Sequence, residues 1–352
     1  MIAIVSKNPL VRQVADETAK IELIEMILQK QMPFTEEEYL ESLVFLLKNE
    51  KHKITAVGLL KDISESTKAG YIEKSEANHR VAYYVIVEAL NRKNQAIISR
   101  AIRNQSLPFE FLLKIAEYGD TAMLEVLLDN QIKLIAYPEI MIKIEENPHA
   151  SNFVKGKIKE LREFYLENAE VEEIPEEAVI EDVKELMTLA PEKEEGKEEE
   201  EAEPLLLEQV EEKALTALQE INNMSISDRI KLALTGSKTQ RMILIKDSNK
   251  MVANSVLESP KIGVDEIAML ARNKSVAGEI ISKIARKRDW IKNYIVIFEL
   301  VHNPKTPIKD ALSFVKKLHL RDLHSVSRDK NVNPVVRQLA LNFYRQKTGV
   351  SQ

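Results

Sequence analysis

The sequence predicts an all-α protein, an α-solenoid of short stacked helices arranged in two lobes. Three observations carry that expectation. Glycine is scarce, nine in 352 residues, against an ordinary share of about 7%. The positive-φ turns and phosphate loops of β-rich and α/β chains therefore have few residues to build them. Aromatic residues make up only 5%, and Leu, Ile, Ala, Glu and Lys dominate, which favours helix. Finally, one punctuation returns along the chain: a helix ends at Asn-Pro or Ser-Pro and a new helix starts. It stands at Asn147-Pro148, Ser259-Pro260, Asn303-Pro304 and Asn333-Pro334.

Residues 10–30 read as one helix, with Leu10, Val14, Ile21, Ile24 and Leu28 near helical spacing and Pro33 as the break. Thr35 and Glu38 form a capping box, in which the hydroxyl accepts from the third amide and the carboxylate reaches back to the cap. The helix 36–48 follows, with Tyr39, Leu40, Leu43, Leu46 and Leu47 as its apolar stripe. Further helices are expected over 54–66, 75–92, 95–103, 108–118, 121–128, 138–145 and 151–166. Beyond the acidic region come 205–224, a helix 228–234 capped by Ser227, and shorter apolar pieces at 242–245 and 251–257. In the stretch 286–311 one helix runs from about Asp289 to Asn303. A second opens with Thr306 as its cap and Pro307 at the first helical position. The last expected helix is 334–346, with Val335, Val336, Leu339, Ala340 and Phe343 on one side.

Charge divides the chain in three. Residues 1–166 hold 22 basic and 24 acidic side chains, 167–203 hold 3 and 17, and 204–352 hold 25 and 15. The expected organisation is an N-terminal helical-repeat lobe (1–166), an acidic and largely disordered linker (167–203), and a basic C-terminal helical-repeat lobe (204–352). The run Glu194 to Glu201 repels itself and offers no apolar area to bury. Within the linker, 176–189 reads as a short amphipathic helix carrying Val179, Ile180, Val183, Leu186 and Met187. A spacer with transient helix is preferred over docking for that segment.

The chain has no cysteine, which excludes disulfides, thiolate zinc sites and thiol nucleophiles. The apolar start Met1 to Lys7 is too short for a signal segment, and no run approaches the ~18 apolar residues that span a bilayer. The expected location is the cytoplasm.

The two halves look related. Leu127 to Asn147 lies over Val256 to Asn273 with a small gap, and a weaker copy starts at Ala101. Ser259-Pro260-Lys261 and Asn303-Pro304-Lys305 recur 44 residues apart. Single helix pairs of this size bury too little apolar surface to stand alone, and stacking them makes a continuous core. Asn303 to Pro307, Leu318 to Leu323 and Asn333 to Arg337 together resemble HEAT-like and leucine-rich-repeat-variant helical repeats. The nearest likeness is to uncharacterised bacterial proteins of that kind, and it covers residue 226 to the C-terminus better than the N-terminal half. The resemblance implies an α-solenoid with a binding role and transfers no catalytic residue.

Chemistry is hard to find in the residues. Thr235 to Thr239 contains Gly236 and Lys238 but lacks the first glycine and the preceding strand of a phosphate loop; a helix-ending glycine before a new cap is preferred. The histidines at 52, 79, 149, 302, 319 and 324 include no His-Glu-x-x-His, and His319 and His324 fall on different sides of a helix. Neither a cofactor nor a metal is expected, and no carboxylate pair requires acid–base work. One local feature supports a hypothesis. Lys283, Arg286, Lys287, Arg288 and Lys292 surround Trp290, the only tryptophan. They form a possible anion-binding patch in which Trp290 could stack on a base. The competing reading is a solvated turn with Trp290 packed between repeats, and it is preferred. The expectation is a non-catalytic protein-interaction scaffold or adaptor whose partner is another protein. The alternative is a nucleic-acid-associated repeat protein that binds polyanions through the basic lobe.

Overall fold

The computed structural model describes residues 7–74, 76–167, 172–175 and 207–348. Those residues form 22 α-helices and no strand. No helix among them is long and apolar enough to cross a membrane. The chain divides into two compact units, Met1–Ala169 and Glu170–Gln352.

In the first unit the helices are α1 (Pro9–Ala15), α2 (Ile21–Leu28), α3 (Glu36–Leu46), α4 (Lys53–Leu60), α5 (Glu65–Ile72) and α6 (His79–Asn91). They are followed by α7 (Gln95–Arg103), α8 (Phe109–Tyr118), α9 (Thr121–Leu128), α10 (Gln131–Ala136), α11 (Pro138–Glu146) and α12 (Asn152–Arg162). The second unit has α13 (Leu207–Asn222), α14 (Ile226–Thr235), α15 (Lys238–Leu244), α16 (Lys250–Leu257) and α17 (Val264–Arg272). It continues with α18 (Gly278–Arg286), α19 (Tyr294–His302), α20 (Ile308–Val315), α21 (Leu320–Arg328) and α22 (Pro334–Thr348).

The Thr35–Glu38 capping box is present, with both reciprocal hydrogen bonds formed. Several expected boundaries move, each for a local reason. The helix expected over 10–30 is two helices, parted at a turn where Glu17 has a φ of 59°. The helix expected over 54–66 stops at Leu60, because the Ser64 hydroxyl accepts from the Thr67 amide and starts α5. Asn130 does the same for Lys133 and creates α10, which was not anticipated. Ser225, not Ser227, caps α14; Ser227 lies buried inside it. Trp290 sits in a 3-10 turn, Trp290–Lys292, and α19 begins after Asn293, whose side chain accepts from the Ile295 amide. Thr306 is not a cap: its hydroxyl donates to the Leu300 carbonyl at 2.6 Å, and α20 starts beyond Pro307. The expected helix 176–189 lies outside the described residues, as does most of the acidic stretch.

Helices pack against the helix two or three places along as well as their immediate neighbour. In the first unit α3, α6, α8 and α11 make one row, and α5, α7, α9 and α12 make another. Between the rows lies a continuous core that includes Leu43, Val81, Val85, Ile98, Leu112, Ile115, Leu124 and Ile144. In the second unit α14 packs on α16, α17 on α19, and α20 on α22.

The steps of these rows are stapled by side chains at helix ends. Asn104, just past α7, donates its amide to the carbonyls of Ile72 (2.6 Å) and Lys74 (3.1 Å). Asn130, past α9, donates to Ile102 at 2.7 Å. Asn147, past α11, donates toward Ala116, Glu117 and Gly119 at 2.8 to 3.1 Å. Asn303, past α19, donates to Ala271 (2.7 Å) and Asn273 (3.2 Å). Ser259, past α16, donates its hydroxyl to Leu234 at 2.8 Å. The terminal carbonyls of a helix have no intrahelical donor, so each staple satisfies groups whose burial without a partner would cost about 1–3 kcal/mol. The same asparagines accept, through Oδ1, from an amide two or three residues on, at Ser106, Lys133, His149 and Lys305.

Lysines extend the device. Lys305 Nζ donates to Ser275 and Val276, and Lys261 Nζ to Thr235. Lys133 is the buried version, 4% exposed, with Nζ donating to the carbonyls of Asn104, Gln105 and Leu107 at 3.4, 3.1 and 2.9 Å. Burial lowers its ammonium from the ordinary 10.5 to about 8.

Two predictions follow from this stapling. Asn303→Asp should destabilise most, by about 3 kcal/mol, because a buried carboxylate would face two carbonyls; Asn303→Ala should cost about 2 and Asn303→Ser about 1. Urea denaturation of the three variants tests the order. For Lys133 the native ammonium gives up its proton more readily than the unfolded one, so between pH 8 and 10 the unfolded chain holds more protons and stability rises with pH. The rise should be on the order of 2 kcal/mol and should be absent in Lys133→Met, as read by denaturation at pH 8, 9 and 10.

Candidate interaction surfaces

Among the described residues, two open concavities and one basic turn could each hold a partner. The first concavity lies in the first unit between α6 and α8. Its volume is about 380 Å³, and its lining is Tyr83, Val87, Leu90, Asn91, Lys114 and Tyr118. Helical spacing explains the arrangement. Val81, Ala82, Val85, Ile86 and Ala89 turn α6 into the core, which leaves positions 83 and 87 on the opposite face, with Leu90 half-buried at the edge of the core. Lys114 and Tyr118 are one turn apart on α8, the neighbouring helix of the row. Tyr83 is 44% and Tyr118 60% exposed. The Lys114 ammonium stands 5.0 Å from the Tyr118 ring centroid and 3.1 Å from a Glu117 carboxylate oxygen. The Tyr83 ring is tilted on Phe111 at 5.9 Å. The site is thus apolar and aromatic, with the Lys114–Glu117 ion pair at its edge.

The second concavity, about 460 Å³, lies in the second unit between the start of α16 and the start of α18. Lys246, Lys250, Asn254, Ser275 and Glu279 are among its lining residues. Its charges are largely spent on one another: Lys250 pairs with Glu279 at 2.7 Å, and Asp247 turns inward to Arg229 at 2.8 Å.

The basic turn follows α18. Lys283 and Arg286 lie on the exposed face of that helix, and Lys287 and Arg288 just past it. Lys287 is engaged, with Nζ 4.0 Å from the Trp290 ring centroid and 3.5 Å from the Leu257 carbonyl. Lys292 pairs with Asp289 at 2.7 Å, which holds the Asp289 carboxyl below its usual range. Trp290 is 8% exposed and packed, so its faces are not presented to a base. Among the described residues no ion pair forms to Arg286 or Arg288. Of the five, Lys287 and Lys292 make contacts within the chain, and Lys283, Arg286 and Arg288 are exposed.

Other sequence features resolve into structure. Gly236 ends α14, and Ser237 opens α15 with a capping box to Gln240. A Cβ at Gly236 would stand 2.5 Å from the Leu232 carbonyl oxygen, which accounts for glycine there. His319 stacks on Tyr294 at 4.3 Å, and His324 lies against Tyr344 at 4.8 Å. Among the described residues no three His, Cys, Asp or Glu side chains converge as metal ligands would. Tyr83, Lys114 and Tyr118 were not singled out in the sequence. The available signal was a pair of apolar residues on α6, Tyr83 and Val87, away from the face its burial requires.

In comparisons with family models, with curated proteins and with solved structures, nothing matches this chain.

Proposed function

We propose that the protein is an α-solenoid of HEAT-like helical repeats in two units, and that it works as a non-catalytic protein-interaction scaffold in a bacterial cytoplasm. The observation that carries this reading is the α6–α8 groove, where two exposed tyrosines and two aliphatic side chains line one open concavity. Tyrosine supplies large contact area at small entropic cost and is enriched where binding energy concentrates. The occupant is a segment of another protein with apolar side chains for Tyr83, Val87 and Tyr118.

Nucleic acid is the alternative partner, through Lys283, Arg286 and Arg288. It has weaker support, because Lys287 and Lys292 are committed elsewhere and Trp290 is packed.

Affinity capture from lysate of the source organism, with and without nuclease, separates the two. The scaffold reading expects a stoichiometric protein that survives nuclease, and expects Tyr83→Ser with Tyr118→Ser to reduce its recovery at least tenfold while the far-ultraviolet circular dichroism melt stays unchanged. Undiminished recovery by the double variant would remove the groove from the proposal. Partners lost on nuclease treatment, and lost again in Arg286→Ala with Arg288→Ala, would support nucleic acid instead.

A further inference from the structure

Residues 172–175 belong by sequence to the acidic stretch, yet they are seated on the second unit. The Ile174 amide donates to Asn222 Oδ1 at 2.9 Å, and Asn222 Nδ2 donates back to the Ile174 carbonyl at 3.2 Å. Both backbone groups of one residue are thus read by a single side-chain amide. The Glu172 carbonyl accepts from Arg229 Nη1 at 2.9 Å. Ile174 itself is 2% exposed.

The receptor is built for this. Asn222 is the last residue of α13, and Arg229 lies on α14, 1% exposed. Arg229 also donates through Nε to the Ile221 carbonyl (3.1 Å), through Nη2 to the Asn222 carbonyl (3.2 Å), and through Nη1 to Asp247 (2.8 Å). One guanidinium therefore supplies donors to the end of α13 and to the strap at once, with a buried carboxylate balancing its charge.

We propose that the corner between α13 and α14 is a peptide-binding site, and that its occupant is the chain's own Glu172–Pro175. The site recognises one apolar residue by its N–H, its C=O and its buried side chain, and recognises the carbonyl two residues earlier by an arginine. This requirement is for a short apolar segment with a free backbone, the chemistry by which strand-like peptides are bound.

The topology of the chain changes with it. Residues 176–206, thirteen acidic against three basic, follow the seated Pro175 in sequence and precede Leu207, the first residue of α13. In sequence they therefore lie between two segments of the second unit. Only residues 168–171 separate Glu167 from the strap. The acidic charge is held at the basic half by both ends, and a cut within it does not free one unit from the other while the strap is seated.

The test cuts the full-length chain once, at a protease site placed at Gly196. The fragments 1–196 and 197–352 should co-elute in gel filtration at micromolar concentration. They should separate when the chain carries Asn222→Asp or Ile174→Ser. Separation of the unmutated fragments would overturn the proposal, and so would co-elution in both variants, since the units would then be held by something other than the strap. Hydrogen exchange guards against unfolding. In the uncut Asn222→Asp protein, amide exchange over 172–175 should accelerate at least tenfold while α14 to α16 keep their protection. An unchanged rate at 172–175 would also overturn it. An excess of a synthetic 170–178 peptide should displace fragment 1–196; failure to displace it would refute the peptide-binding reading.

Discussion

The carbonyl end of the helix is the constraint on which the rest of this structure depends. An α-helix leaves its last four C=O groups without donors of its own. Most helices here have between seven and eleven residues, so a large share of the backbone is terminal. The chain supplies the missing donors from the helix that follows in the same row. Asn104, Asn130, Asn147, Asn303 and Ser259 reach back 25 to 32 residues to do so. An asparagine suits the position because its amide donates to the older helix while its oxygen accepts an amide of its own turn. Aspartate offers only acceptors, and alanine offers neither. The proline after Asn147 and Asn303 has a place in the same logic. It has no N–H to satisfy, and it stops the helix where the staple must stand.

A staple of this kind is also a measure of register. It forms only when the end of one helix lies beside the end of the helix before it in the row. Buried ion pairs add to the same specification. Arg241 donates from Nε to Glu266 at 2.9 Å, joining α15 to α17, and Lys68 lies 2.9 Å from Glu88, joining α5 to α6. Pairs taken out of water contribute little net stability relative to apolar residues of the same size, yet breaking one is costly. We read their role here as selecting one stacking order among helices of similar length and composition. Tyr71 and Tyr294 repeat the theme with a hydroxyl. Each donates to a carboxylate, Glu41 and Asp322, and accepts the backbone amide of a residue that caps a helix, Asn78 and His319. Burial and that carboxylate push both phenols above the ordinary tyrosine value, so both remain donors.

Much of the fold was legible because its signals are local. The Thr35 capping box, the Asn147 and Asn303 breaks and the helices at 95–103 and 121–128 are set by residues within a turn of themselves. The likeness between Ser259-Pro260-Lys261 and Asn303-Pro304-Lys305 was visible as spacing, and the structure supplies its cause: both first residues reach an earlier helix, Lys261 reaches the last residue of α14, and Lys305 the loop after α17. What could not be read depended on a choice between equivalent candidates. Ser225 and Ser227 both precede an apolar run, and only burial of Ser227 decides between them. Thr306 has the right chemistry for a cap, but the Leu300 carbonyl takes its hydroxyl first. The seating of Ile174 was hidden because a single isoleucine amid glutamates carries no periodic signal. Its partner Asn222 lies 48 residues away.

The functional surface was the least legible part, and the row geometry explains why. A helix within a row has a neighbour on either side and another across the core, which leaves one face uncommitted. The composition of that face is not dictated by stability. The residues that reveal a partner are therefore those the fold does not ask for, and these can be recognised only after the committed faces are known. On α6 the core takes Val81, Val85 and Ile86, and water would be served equally well by any polar residue at position 83 or by one at position 118 on α8. Two tyrosines stand there instead, with Val87 and Leu90 between them. Trp290 shows the converse. In the sequence it was the most conspicuous aromatic in the chain, beside five cations, and its burial under Lys287 assigns it to the packing that holds the turn after α18.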